Sequence, residues 1–305
     1  MTDAAGEFPM AWRSRQFRRV EDAMRSSRRW QGAWRYLRSP AVNIPAGALV
    51  LVAFMCFAGP LLFNLPGPNA GSLQQIMLPI GAKGHLLGTD ADGNDIISRL
   101  LYGGRISLEV GLGAAAIGFV VGSTIGTVAG YLGGAVDSIV MRCLDVLLAF
   151  PGIVLALAIA TYLGPNERDV IIALSCFTIP AYSRLARATV LRLRSRDFVA
   201  ASRSMGASSR HVMLQHLAPN LVPALMTYVF LQVGIAMLTE AGLSYLGVGI
   251  RLPAPSWGNM IAGGQNSLGT RPDLVLIPAA CLFITVLSCN LLANGLREIA
   301  SSEVS

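Results

Sequence analysis

The chain has 305 residues and a formal net charge of +7; 53% of its residues are hydrophobic and only 13% are charged. Its mean hydropathy is +0.55. Soluble domains carry about 25% charged residues. The composition therefore excludes an ordinary soluble domain and predicts an integral membrane protein.

The N-terminal arm, residues 1–43, contains nine arginines and no lysine. Trp30, Trp34 and Leu37 are spaced so that a helix would carry them on one face and basic residues on the others. The pattern indicates an amphipathic helix on anionic membrane lipid, or equally a solvated tail that only sets topology. Basic charge also suits nucleic acid, but no recognition motif accompanies it, so we expect no nucleic-acid partner.

Six nearly uncharged apolar runs follow the arm, and most approach the ~20 residues that a helix needs to cross the hydrocarbon core. They predict an all-α protein with six transmembrane helices. The first run starts too far along the chain for a cleaved signal peptide. The fourth is short, so we expect it to extend to about Leu185; a re-entrant segment is the alternative. The runs are 44–63, 110–129, 146–163, 170–182, 221–238 and 274–292.

The basic residues predict which side of the membrane each loop faces. With the N-terminus inside the cell, 18 of the 24 basic residues lie on the cytoplasmic side, as the positive-inside rule requires. Both termini are then cytoplasmic. The membrane domain, residues 44–295, has outside loops at 66–104 and 246–273 and a cytoplasmic loop at 190–219. A cytoplasmic tail follows at 296–305.

The sequence offers no catalytic constellation and no metal site. The five cysteines lie in or beside apolar runs without metal-ligand spacing, and the three histidines lie in loops. The aspartate-rich segment 90–95 has its glycine at the fourth instead of the sixth position of a calcium loop. Leu101 stands where that loop needs a glutamate. We therefore expect neither enzyme activity nor a bound metal.

An energy source for transport is also missing from the sequence. The only lysine is Lys83, so no P-loop is present. Ion-coupled carriers place ionisable groups at mid-depth, whereas the few found here, such as Glu240, fall near predicted span ends. The pattern favours a partner ATPase, which would bind ATP and Mg²⁺, over a secondary carrier or a membrane enzyme. We expect no cofactor in this chain.

Four glycines recur at every fourth residue of the second run: Gly118, Gly122, Gly126 and Gly130. A phosphate-binding glycine loop is one interpretation. In an apolar helix, however, this spacing puts the glycines on one side, where another helix backbone can approach closely. We expect a tight helix–helix contact, within this chain or with a partner.

The cytoplasmic loop at 190–219 is typical of two short helices separated by a break. Gly206 permits the break, and Pro219 suits the first turn of the next span. Such a basic surface module suits transmission of motion from a cytoplasmic partner. The alternative is a solvated loop that only enforces topology.

The same loop resembles the EAA loop of permease subunits of binding-protein-dependent ABC importers. Ala200, Ala201 and Ser202 stand at the E-A-A positions and Gly206 at the family's glycine, so the glutamate is missing. The resemblance implies that the loop docks in a cleft of an ATPase subunit. The residues expected to take part are Ala200, Ala201, Ser202, Arg203, Gly206, Ala207, Ser208, Arg210, His211 and Pro219.

Further segments resemble the dipeptide, oligopeptide and nickel branch of this family, and its C-type permease in particular. They are residues 85–111, with Asn94 replacing the usual arginine, residues 141–157, residues 239–261, and residues 287–298, with Ala-Asn replacing Gly-Asp. The resemblance implies the type I ABC importer permease fold in the inner membrane.

The resemblance also implies a function and a set of partners. The subunit would import di- or oligopeptides by alternating access; nickel, glutathione or another small solute is the alternative cargo. It would pair with a B-type permease, two ATP-binding subunits and an extracytoplasmic substrate-binding lipoprotein. Pro253, Pro255 and Trp257 in the second outside loop would contact that binding protein. The alternative for this loop is a packed cap against the partner permease.

Overall fold

The computed structural model describes residues 39–164 and 166–302, so the predicted arm lies almost wholly outside the described residues. Within this part the regular structure is helical, apart from two isolated β-bridges. The helices are α1 (Pro40–Leu62), α2 (Ile96–Leu132), α3 (Gly134–Ala149), α4 (Gly152–Leu163), α5 (Glu167–Arg194), α6 (Asp197–Ser204), α7 (Ser209–Tyr245), α8 (Trp257–Gly264) and α9 (Asp273–Ser302).

Five of the described helices, α1, α2, α5, α7 and α9, are long and apolar enough to cross a membrane. The pair α3 and α4 provides a sixth span if the two are counted together. Large apolar side chains such as Val50, Phe54 and Phe283 are exposed on these helices. Such surfaces suit contact with lipid or with another subunit.

The third predicted span, residues 146–163, is not one straight helix. It is interrupted at Phe150 and Pro151, and α3 and α4 are bent by 90° at this break. A proline disfavours the α conformation of the residue before it, and Phe150 is accordingly extended, with φ −81° and ψ 139°. The run has the composition of a span, but the Phe-Pro step divides it.

The helices do not end at the predicted loop boundaries but continue into polar segments. α2 begins at Ile96, inside the predicted outside loop, where the Asp95 carboxylate accepts a hydrogen bond from the Ser98 backbone N–H at 2.8 Å. α5 has 28 residues and runs well past the end of its apolar run. The second outside loop contains a helix of its own, α8.

The regularly spaced glycines lie where α2 packs along α5. A Cβ built on Gly122 would lie 2.5 Å from the Ile179 carbonyl oxygen, and Gly126 comes closer still to Ser183. Backbones this close allow the Ser183 hydroxyl to donate to the Gly122 carbonyl across the helices, at 2.9 Å. All four glycines face α5: Gly118, Gly122, Gly126 and Gly130.

A second packed region joins α8 to the long helices. Trp257, which is 1% exposed, lies in one apolar cluster with Cys56 of α1, Leu108 of α2 and Met237 of α7. Its indole N–H donates to the Leu100 carbonyl at 2.9 Å. This cluster fixes α8 against α2 and α7.

Candidate functional site: the loop module and the outer loop

The loop module, residues 197–217, begins with α6 and turns at Gly206. The Gly206 N–H donates to the Arg203 carbonyl at 2.9 Å, and the Ala207 N–H donates to the Ser202 carbonyl at 3.1 Å. These two bonds form a Schellman cap, whose left-handed residue is normally glycine. Gly206 has φ +82°. A side chain there would meet open space but would carry backbone strain.

The second half of the loop module is continuous with α7. Ser208 caps its start by accepting from the His211 backbone N–H at 3.3 Å. A π-helical turn, Val212–Leu217, leads directly into the α-helical part at Ala218. Pro219 lies in the first turn of that part, as expected, but no break separates the loop from the span. The prediction of a separate loop helix and span is therefore wrong, because the chain passes between them through a π-turn.

Most residues predicted to meet the ATPase lie on the surface of the loop module. The exposed ones are Ala200, Ala201, Arg203, Gly206, Ser208, Arg210, His211 and Pro219. Ala207 is half-buried, and Ser202 is only 5% exposed. Ser202 follows the fully buried Val199 by three residues, so both lie on the inward face of α6. Ser202 therefore lies beneath the exposed surface of the module, and its part in docking stays a prediction.

Three apolar side chains on the loop module escaped the sequence analysis. Met205 is 81% exposed, and Phe198 and Leu214 are also exposed. Exposed apolar side chains on a polar loop suit contact with a partner. The available signal was an apolar residue, Met205, directly before the turn glycine of a polar loop.

The inward face of the loop module is anchored in an apolar cluster. Val199, Val212 and Leu217 are fully buried and pack in one cluster with Tyr182 and Val190 of α5. A displacement of the loop module therefore acts directly on α5 and α7.

Two arginines join the same region to α2. The Arg203 guanidinium lies 4.8 Å from the centre of the Tyr131 ring, a cation–π contact. Arg194, at the end of α5, donates to the Gly130 carbonyl at 3.0 Å. Arg203 was expected to take part in docking, and in this structure its guanidinium stacks on Tyr131. Arg210 remains exposed.

The outer loop between α7 and α8 presents a smaller surface than predicted. Pro253 is exposed, together with Arg251 and Leu252. Pro255 and Trp257 are buried inside this chain, so they add no exposed surface to the loop, and their contact with a binding protein stays a prediction. Trp257 is buried because its ring fills the apolar cluster that holds α8 in place.

A buried carboxylate below the outer loop was also missed. Glu240, which is fully buried, accepts hydrogen bonds from Ser244 (2.7 Å) on α7 and from Ser107 (3.2 Å) on α2. The Trp257 backbone N–H donates to the same Ser107 hydroxyl at 3.2 Å. The hydroxyls provide hydrogen bonds to a polar group that would be costly to bury without them. Glu240 thus connects α2, α7 and the start of α8.

The aspartate-rich segment 90–95 is used for turn formation. The Asp90 carboxylate accepts from the backbone N–H groups of Asp92 and Asn94, at 2.9 and 2.8 Å. The Asn94 side chain in turn accepts from the Gly71 N–H. Among the residues that the structure describes, no group of three or more histidine, cysteine, aspartate or glutamate side chains is placed to hold a metal ion.

Comparison with known families decides the identity of the chain. Residues 122–305 match the family described as "Binding-protein-dependent transport system inner membrane component". The chain belongs to this family. It is an inner-membrane permease subunit of an ABC importer.

Relatives and a solved structure agree with this assignment. The permease is 36% identical over 270 residues to the glutathione transport system permease protein GsiD of Pectobacterium atrosepticum, covering 88% of this chain and 89% of that protein. It is 32% identical over 280 residues to the dipeptide transport system permease protein DppC of Alkalihalophilus pseudofirmus, covering 91% of each. These relatives confirm the predicted branch and C-type position.

The fold of the permease is that of type I ABC importer permeases. A chain of the methionine ABC transporter MetNI, solved in an inward-facing conformation, superposes with a TM-score of 0.56. It is 17% identical in sequence, and the match covers 66% of this chain and 96% of that one. The predicted fold class is therefore confirmed. The loop module and the exposed outer-loop residues flank the two ends of α7 in this fold.

Proposed function

We propose that the permease forms half of the translocation pathway of an ATP-driven importer of di- and oligopeptides. It pairs with a B-type permease, and the two ATPase subunits of the complex bind ATP and Mg²⁺. Both termini and the loop module face the cytoplasm. The observation that carries the proposal is the loop module itself, which is exposed on one face and anchored on the other to α5 and α7.

The loop module couples ATP hydrolysis to movement of the helices. Ala200 and Ala201, which are small and exposed, allow an ATPase cleft to approach closely, and Met205 supplies an apolar contact. When the ATPase dimer closes, the displaced module carries α5 and α7 with it. Rocking of these helices opens the pathway alternately to the two sides of the membrane.

A substrate-binding lipoprotein delivers cargo to the opposite face. Arg251, Leu252 and Pro253 are the outer-loop residues available to it, since they are exposed at the end of α7. Pro255 and Trp257 support this surface from beneath.

A cleft between α4, α5 and α7, with a volume of about 340 Å³, is the part of the pathway that we assign to this subunit. Gln232, Thr178 and Thr239 provide its polar groups among otherwise apolar walls. The described residues that line it include no charged side chain. We therefore assign selection of the cargo mainly to the binding protein.

Glutathione is a second candidate cargo, because the GsiD relatives are at least as similar to this chain as the DppC relative. The test is uptake by the complete transporter in liposomes, with its own binding protein outside and ATP inside. Di-, tri- and pentapeptides and glutathione are compared as radiolabelled cargo. ATP-dependent accumulation of peptides supports the proposal, exclusive accumulation of glutathione selects the second candidate, and ATP-independent uptake of any cargo contradicts both.

A further inference from the structure

A cavity of about 650 Å³ lies between the end of α5, the first part of α7 and the end of α9. Arg192, Arg196 and Arg297 line it, and its described lining contains no acidic residue. The ion pairs found among the described residues involve other arginines. Three guanidinium groups thus share one concave space without a carboxylate from the described part of the chain.

The walls of this cavity combine apolar, hydroxyl and basic side chains. On α5, Leu185 precedes Arg192 by seven residues, which corresponds to about 10 Å along the axis, and Thr189 lies between them. Thr227 and Tyr228 of α7 provide further hydroxyl groups. Along α5 the lining therefore passes from an apolar side chain to a basic one at the end of the helix.

We propose that this cavity, the basic end cavity, binds the headgroup of an anionic phospholipid from the cytoplasmic leaflet. The phosphate pairs with the arginines, which suit bidentate recognition of phosphate oxygens. The hydroxyls meet the glycerol and ester groups, and Leu185 contacts the start of an acyl chain. Basic pockets between helices at the cytoplasmic surface have the charge and position that such lipids require. This assignment rests on the orientation given above.

Other occupants fit the cavity less well. The N-terminal arm carries nine arginines, so its charge has the same sign as that of the cavity. A soluble anion leaves the apolar wall without a partner. The cleft assigned to cargo lies elsewhere, between α4, α5 and α7.

The test compares lipid binding by two matched double variants of the complete transporter in phosphatidylcholine nanodiscs. Arg192→Gln/Arg297→Gln removes two charges from the basic end cavity. Arg142→Gln/Arg168→Gln removes two exposed charges elsewhere and serves as the control. Binding of phosphatidylglycerol is titrated and read by native mass spectrometry. We expect the cavity variant to bind it about tenfold more weakly than the control.

Three results would overturn the proposal. The first is equal affinity of the cavity variant and the control for phosphatidylglycerol. The second is that the unaltered complex binds added labelled phosphatidylcholine as tightly as phosphatidylglycerol. The third is displacement of bound phosphatidylglycerol by millimolar inorganic phosphate or glutathione, which would indicate a soluble-anion site. Cargo uptake is measured on the same preparations. Normal uptake without lipid selectivity would remove the lipid site and leave the proposed transport function intact.

Discussion

Glu240 illustrates how one side chain joins distant parts of the permease. Its two carboxylate oxygens accept hydrogen bonds from Ser107 and Ser244, which lie on different helices. Ser107 also accepts from the Trp257 backbone, so the carboxylate supports the start of α8 indirectly. Removing a buried acceptor leaves its donors unsatisfied, which costs more than a typical hydrogen bond contributes.

We predict that Glu240→Ala destabilises the purified transporter by about 2–3 kcal/mol, because two serine hydroxyls lose their acceptor in a buried site. Glu240→Gln should cost less, since its amide oxygen still accepts one bond. Thermal unfolding monitored by tryptophan fluorescence provides the measurement. Glu109→Ala is the control, because its ion pair with Arg105 is partly solvated and worth about 0–1 kcal/mol. Equal effects of Glu240→Ala and Glu109→Ala would contradict the structural role.

Variants of Trp257 and Leu252 distinguish effects on folding from effects on docking at the outer side of the permease. Trp257→Ala should reduce the yield of assembled complex, because truncating a buried aromatic side chain costs about 3–5 kcal/mol. Leu252→Ser should leave assembly unchanged and weaken stimulation of ATP hydrolysis by the binding protein, since Leu252 is 67% exposed. Size-exclusion chromatography and ATPase assays measure the two effects. An assembled Trp257→Ala complex that fails only in stimulation would return Trp257 to the docking surface.

The sequence predicts which residues lie in an exposed loop better than it predicts which residues pack against one another. The loop residues Ala200, Ala201 and Gly206 were placed on an exposed module from the polarity of the loop and its resemblance to the EAA loop. The burial of Glu240 and Trp257 was not predicted, because their partners lie 133 and 157 residues away in the chain. Only the folded structure brings such distant residues together.

At the scale of elements, the contact between α2 and α5 depends on the absence of side chains. Gly122→Leu should prevent the close approach of the two backbones and lower assembly, since the groove has no room for added atoms. Gly242→Leu is the matched control, because nothing lies within 4 Å of a Cβ at that helical position. The amount of assembled complex extracted from membranes is compared. Normal assembly of Gly122→Leu would show that this contact is dispensable.

Helix existence followed from apolar composition, whereas helix ends and bends did not. The length of an apolar run does not reveal the 90° bend at Pro151, although the Phe-Pro step marks its position. The continuity of the loop module with α7 was not predicted either. Pro219 suggested that a new helix starts there, whereas a π-turn joins the loop module to the rest of α7. Local backbone hydrogen bonding decides both cases, and composition does not report it.

At the scale of the whole molecule, α7 connects the two candidate surfaces. It contains 37 residues, which corresponds to about 55 Å of helix, against about 30 Å for the hydrocarbon core. Its first turns belong to the loop module, and its last turns contain Glu240 and Ser244. A displacement of the loop module can therefore reach the outer loop through one continuous helix.

Coupling through the loop module is tested most directly by adding a charge to its small-residue surface. Gly206 is unsuitable, because any side chain there is strained by its positive φ. Ala201→Glu adds the charge on an exposed helical position, and Ala135→Glu adds the same charge at an exposed position in the first turn of α3. An unpaired carboxylate buried in an ATPase cleft is costly; an exposed one is not.

The measurement is peptide uptake together with binding-protein-stimulated ATP hydrolysis in liposomes containing the complete transporter. For Ala201→Glu we predict that both activities fall by at least about tenfold, the effect of burying an unpaired charge, while the permease pair remains inserted and assembled. Ala135→Glu should retain both activities. Uptake by Ala201→Glu at the level of Ala135→Glu would contradict the coupling role of the loop module.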